Sequence, residues 1–357
     1  MRELLSSWQS WLTEEIKPVA NEIDRNSSAL KTALEGMGKR SWLALKVPVE
    51  LGGSGLNELE YRLIQVELAR VSGALTFLQT QHQSAASMLS KSENTFLQQQ
   101  FLSKMATGKA LMGVGFSHLR RQGIPMVSAR KTNRGYEISG EVPWITGYGF
   151  FSHFILGTTL EDGRELYGVL PLQNKDRAAE GSITCSQPME LMAIASTNTV
   201  SAKIDCWCLD SELIVTIKPP GSIHQSSRHK ILNHGWYAIG CALGGLDIVL
   251  ALAKKKQLDF LYQSWQSLNL EVTRCQEKAI ALAKDDNTSY EQKLELRVDA
   301  INLAQRCSQA AVIASSGAAN YLNSDAARIY REALLFSVSG QTTDVMETSI
   351  KRLIARK

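Results

Sequence analysis

Apolar residues at helical spacing mark the first stretch of the chain. Leu4, Leu5, Trp8, Trp11, Leu12, Ile16, Val19 and Ile23 fall on one face of an amphipathic helix. Pro18 lies inside that run, lacks a backbone donor and predicts a bend there. Val47–Leu56 (VPVELGGSGL) predicts a turn, because paired glycines admit backbone conformations that other residues resist. Helical spacing resumes over Leu59–Arg70 and continues over Ala85–Met105.

From Leu111 to Ile217 the pattern changes. Short runs rich in β-formers (Tyr136–Ser139, Phe154–Thr158, Leu166–Pro171 and Ile214–Ile217) are separated by Gly, Pro, Asn and Asp turns. Pro219-Pro220-Gly221 and the polar stretch to His229 predict a linker. From Ile231 the spacing is helical again and rich in Ala and Leu. The order predicts an α+β multi-domain chain: a helical domain over 1–110, a β domain over 111–220 and a helical domain over 221–357. Strands meeting helices leave a crevice in which a ligand would lie.

Composition narrows the function classes. The 357 residues suffice for a large core. A net charge of +4 and the lack of an aromatic-rich basic stripe argue against a nucleic-acid partner. The start of the chain does not read as a signal peptide, so a cytoplasmic location is expected. Trp236–Ala253 is apolar apart from Asp247 and is long enough for a membrane span. Asp247 and the three glycines Gly240, Gly244 and Gly245 predict a buried helix instead. The six cysteines are scattered and expected to be free thiols, and no metal site is expected.

Two segments carry candidate chemistry. Gly140–Gly147 (GEVPWITG) ends a strand-forming run with an indole, Trp144, and a hydroxyl, Thr146. Met112–Ser117 (MGVGFS) is a second strand-like piece that also ends in a hydroxyl. Two strand ends that deliver hydroxyls beside a flat indole suit a broad planar ligand with polar edges, such as an isoalloxazine.

Six segments in order give the chain its resemblance to the acyl-CoA dehydrogenase superfamily. Ile16–Arg25 (IKPVANEIDR) is similar to the family's first-helix run, and Leu45–Leu56 to its paired-glycine turn. Val66–His82 resembles its second-helix region. Met112–Ser117 and Trp144–Gly147 resemble its two flavin-contacting segments, and Ser316–Gly317 with Arg331–Glu332 its late "GG" and "RD" positions. The resemblance implies an N-terminal helical domain, a middle β-barrel domain and a C-terminal four-helix bundle. It implies bound FAD and a homodimer or homotetramer. By position, Ser117 and the Phe116 backbone would contact the pyrimidine side of the flavin. Trp144 would lie against the ring and Thr146 would bond near its reactive nitrogen.

The chain also departs from the family. The carboxylate base that removes the α-proton falls on Gly340, within Ser339-Gly340-Gln341-Thr342, and glycine has no side chain to take a proton. Aligning on the terminal run Ile350–Arg356 moves the position to Val345, which is no base either. Some members place the carboxylate earlier, where Asn233-His234-Gly235 makes His234 the candidate catalytic group; a helix-start role is the alternative. Glu347 is a second candidate, or a solvated helix residue. The family's loop after the first flavin strand is replaced by Ser117–Gly123 (SHLRRQG), where Arg120 and Arg121 could hold a pyrophosphate or carboxylate. The segment that reaches a neighbouring subunit's FAD has no counterpart. Three functions stay open. The first is an FAD-dependent oxidoreductase acting on an acyl thioester or small molecule by a divergent mechanism, with an electron-transfer partner. The second is a flavin monooxygenase or N-hydroxylase fed by a flavin reductase. The third is a non-enzymatic relative.

Overall fold

The structure, a computed structural model, describes residues 2–285 and 287–354. Ala355 and Arg356 of the terminal run lie outside the described residues. Helix α1 (Arg2–Trp11) passes through a π turn at Leu12–Ile16 and a 3-10 turn at Lys17–Val19 into α2 (Ala20–Arg25). Pro18 sits in the 3-10 turn, at the predicted bend. Trp8, Trp11 and Trp42 form a buried aromatic cluster with centroids 4.7 to 5.6 Å apart. Asn26 caps α3 (Ser27–Lys39), and an Asn57/Glu60 capping box starts α4 (Glu58–Val71).

The run predicted as continuous over Ala85–Met105 is two helices, α5 (Gly73–Leu89) and α6 (Thr95–Met105). The break has a local cause. Asn94 accepts from the Leu97 amide, capping α6, and its own amide group donates to the Glu212 and Ile214 carbonyls of the sheet domain.

The strands are β1 (Met112–Gly115), β2 (Val127–Lys131), β3 (Gly135–Ile145), β4 (His153–Leu160), β5 (Glu165–Pro171), β6 (Lys175–Asp176), β7 (Ser182–Cys185), β8 (Val200–Asp210) and β9 (Ile214–Lys218). They form one sheet in the order β6-β7-β8-β3-β2-β4-β5-β9, with β1 parallel to β4. Antiparallel β3 and β8 pair Ile145 with Val200. The residues just beyond that pair, Thr146 and Thr199, therefore meet at one end of the sheet, their hydroxyls 3.0 Å apart.

Where a linker was expected, Ser222–His229 forms a short helix, α7. Its first turn is pinned because the Ile223 amide donates to the buried carboxylate of Glu165. Helices α8 (Asn233–Lys256), α9 (Asp259–Lys284), α10 (Tyr290–Ser315), α11 (Asp325–Val338) and α12 (Thr343–Ile354) follow. α8 is long and apolar enough to cross a membrane, but most of its apolar stretch is buried in the helical bundle. Its glycines allow close approach to α4: a Cβ at Gly240 would lie 2.4 Å from the Val66 carbonyl oxygen. Asp247 is paired with Arg70 of α4 by two hydrogen bonds of 2.6 and 2.7 Å.

Three ties fix the helices, two of them against the sheet domain. Asp24 of α2 accepts from the Ile194 amide at 3.0 Å and from Arg331 of α11 at 2.7 Å. Glu332 of α11 is fully buried and accepts from Arg328 and from the Gly73 amide at the start of α5. Buried His82 of α5 accepts the Met112 amide at Nδ1 and donates from Nε2 to the Met105 carbonyl, which positions β1.

Candidate active site

A cavity of about 1190 Å³ opens where the sheet end meets the C-terminal helices. Ser117, Trp144, Thr146, Thr199 and the Leu191–Ile194 loop line its sheet side. The helical side is built by α7, Tyr290, the end of α11 and the Ser339–Asp344 segment. Its size exceeds what one small metabolite needs.

Each sheet-side group is placed by backbone. Ser117 opens a 3-10 turn, Ser117–Arg120, directly after β1. His118, the next residue of that turn, points away from the cavity wall that Ser117 lines, is buried and bonds the Gly157 carbonyl at 2.9 Å. Burial holds its pKa down to about 4. Phe116 packs edge-on against Tyr167, with centroids 5.7 Å apart, and is not among the described residues that line the cavity. Trp144 remains 48% exposed and lines the cavity. An indole this exposed is not part of the buried core. Thr146 is buried, with its hydroxyl against Thr199. A flat, solvent-facing indole flanked by hydroxyls in a cavity of this size fits an isoalloxazine.

On the helical side, Gly340 adopts φ +59, and a Cβ built there would lie 2.4 Å from His234 Nε2. His234 stands behind the wall rather than in it. Its Nδ1 is 3.1 Å from Ser339 Oγ, and its ring meets Tyr237 edge-on with centroids 5.5 Å apart. Burial, then the nearby Arg297, Arg120 and Arg62 guanidinium groups, hold its pKa well below the usual imidazole range. A neutral imidazole this weakly basic, outside the cavity lining, is a poor proton acceptor for a substrate in the cavity. Arg297 is buried, donates to the Ile231, Ser339 and Gly340 carbonyls, its only partners among the described residues, and fixes that turn. Glu347 pairs with Lys351 on the exposed face of α12, and Val345 is fully buried.

Three cavity groups had no signal in the sequence. Asp344 is the one carboxylate among the described lining residues. It accepts from Tyr290 Oη at 2.5 Å and lies 3.7 Å from Arg228, whose guanidinium stacks on the Tyr290 ring at 3.9 Å. These three come from α12, α10 and α7, and only tertiary packing joins them. Thr199 had a faint signal, as a hydroxyl at the head of a strand.

Comparison with known proteins agrees with this geometry. Residues 1–109 match the model of the acyl-CoA dehydrogenase N-terminal domain. Mitochondrial isovaleryl-CoA dehydrogenase of Pongo abelii is 30% identical over 152 residues, covering 41% of this chain and only 36% of that protein. The match thus spans about a third of that relative's length. The probable acyl-CoA dehydrogenase YngJ of Bacillus subtilis is 21% identical over 96% of this chain and 94% of its own. Among solved structures, a glutaryl-CoA dehydrogenase of Mycobacterium smegmatis in complex with FADH2 superposes with a TM-score of 0.83 at 14% identity, covering 100% of this chain and 94% of that one. At that identity the likeness is one of fold. Residues 1–109 thus match the N-terminal domain of the acyl-CoA dehydrogenases, and the whole chain has the fold of that superfamily.

Proposed function

We propose that this protein is an FAD-dependent oxidoreductase of the acyl-CoA dehydrogenase type that acts on an acyl thioester or a similar small molecule. The observation that carries the reading is the sheet-side wall: Ser117, Trp144, Thr146 and Thr199 converge on one cavity from the ends of three strands. Bound FAD would supply hydride acceptance, chemistry that no side chain offers. The chain's own residues bind and orient. Trp144 offers its face to the ring, and Ser117 and Thr146 offer hydroxyl groups to its polar edges, each worth about 1 kcal/mol net. Leu191, Ala193, Ile194, Leu334, Leu335 and Val338 keep that space apolar and exclude water.

The divergence lies in proton removal. Gly340 cannot accept a proton, and His234 is set behind the wall with its basicity suppressed. A substrate whose proton is acidic already, or one that loses none, suits such a site. This same observation favours a second reading, a flavin-dependent monooxygenase or N-hydroxylase, which needs no carboxylate at that position. The protein is then expected to be a homo-oligomer that receives or passes electrons through a partner flavoprotein or reductase.

The deciding experiment is a visible spectrum of the purified full-length protein, followed by anaerobic titration. Yellow protein with bound FAD that bleaches on addition of an acyl-CoA without oxygen supports the dehydrogenase-type reading. Product only from reduced flavin and oxygen supports the second. Colourless protein that takes up no FAD overturns both and leaves a non-enzymatic relative.

A further inference from the structure

The cavity lining carries more arginines than carboxylates: Arg120, Arg121 and Arg228 stand against the single carboxylate Asp344, among the described residues. Asp344 is already engaged by Tyr290 and Arg228. Arg120 lines the same cavity, and its Nε donates to Ser227 Oγ of α7 at 2.9 Å. That bond fixes one edge of the guanidinium and leaves its terminal nitrogens without a carboxylate within ion-pair distance, among the described residues. Arg297, buried behind Ser339 and Gly340, likewise has only carbonyl partners.

We propose that Arg120, backed by Arg297, forms an anion subsite where the turn after β1 meets α7, which takes a carboxylate or phosphoryl group of the ligand that fills the cavity. The physical argument is charge balance. A partly desolvated guanidinium with no counter-ion is costly, and a ligand anion held by its fork offsets that cost. Burial lowers the pKa of both arginines, and Arg120 adds to the effect on Arg297, held to about 10; no carboxylate stands among the causes for either. Both stay charged at neutral pH. Ser227 holds the fork in place before a ligand arrives. The same anion chemistry could come from a flavin cofactor's phosphates or from an acidic substrate. The subsite shares the cavity with the function proposed above but does not require it.

The test uses the purified full-length protein and small probes. Inorganic pyrophosphate and malonate are each compared with sodium chloride at matched ionic strength. At least one is expected to raise the Tm of wild type by a few degrees and to leave Arg120→Gln unmoved. Arg120→Lys, which keeps the charge and loses the fork, should retain part of the rise. No rise in wild type, or equal rises in wild type and Arg120→Gln, overturns the subsite. Two titrations then assign the source. If the flavin supplies the anion, FMN binds roughly tenfold or more tighter than riboflavin, and Arg120→Gln removes the difference. If the substrate supplies it, succinyl-CoA binds tighter than butyryl-CoA, and Arg120→Gln removes that preference while flavin affinity holds. Should neither preference change in Arg120→Gln, the proposal falls. Because the Tm readout needs no flavin, colourless protein with an Arg120-dependent anion response would sink the flavin reading alone.

Discussion

The two walls of the cavity differ in what they preserve. The sheet side keeps an indole and hydroxyls at strand ends, where the β3–β8 register places Thr146 against Thr199. On the helical side, the position where the family resemblance implies a proton acceptor holds Gly340, with the His234 ring packed into the space a side chain would need. Backbone pairing dictates the first wall. The second includes the loop between α11 and α12, where no strand pairing dictates which side chain stands.

Removing the supports of the helical wall should have the largest effect. Arg328→Ala leaves the Glu332 carboxylate buried with only the Gly73 amide as partner, and is expected to cost about 3–5 kcal/mol in urea unfolding. Acid should act on both walls together. Burial depresses the pKa values of His82 and His118, to about 4 each, and that of His234. The unfolded chain binds protons below about pH 6.5 while these folded imidazoles do not, so their contribution is complete above that pH and is lost as pH falls towards 4. His82 alone accounts for roughly 3 kcal/mol of that loss, measurable by denaturant unfolding at several pH values.

A sharper test of the difference lies at Gly340. Gly340→Ala forces a Cβ into a left-handed turn and into His234, for an expected cost of about 2–3 kcal/mol. In a His234→Ala background the penalty should shrink by about 1 kcal/mol, a coupling that a double-mutant cycle reads directly. Equal penalties in the two backgrounds would show that backbone conformation alone excludes a side chain there. On the sheet wall, Trp144→Ala should weaken flavin binding about tenfold or more with little change in stability, because the half-exposed indole contributes little to the core. Unchanged FAD affinity would remove Trp144 from the ring's binding surface.

Periodicity exposed most of the architecture. Trp8, Trp11, Ile16 and Ile23 are buried as their spacing predicts, and the strand runs fall within β3, β4, β5 and β9. Two local features were hidden. The break before α6 depends on Asn94 reaching carbonyls far along the chain, and α7 depends on Glu165 holding its first amide. At the site, Ser117, Trp144 and Thr146 could be read because strand ends carry fixed directions. Arg228, Tyr290 and Asp344 could not, since nothing in the sequence says that α7, α10 and α12 meet. The placement of His234 was equally out of reach: its position near a helix start does not reveal whether the ring turns toward the cavity or toward Ser339.

Asp24 carries a consequence for how the molecule melts. One buried carboxylate joins α2, the Leu191–Ile194 loop and α11, so none of the three chain segments can detach without stranding a charge or an amide in a water-poor interior. Heating should therefore give a single calorimetric transition, and Asp24→Ala should split it or broaden it toward separate melting of the blocks.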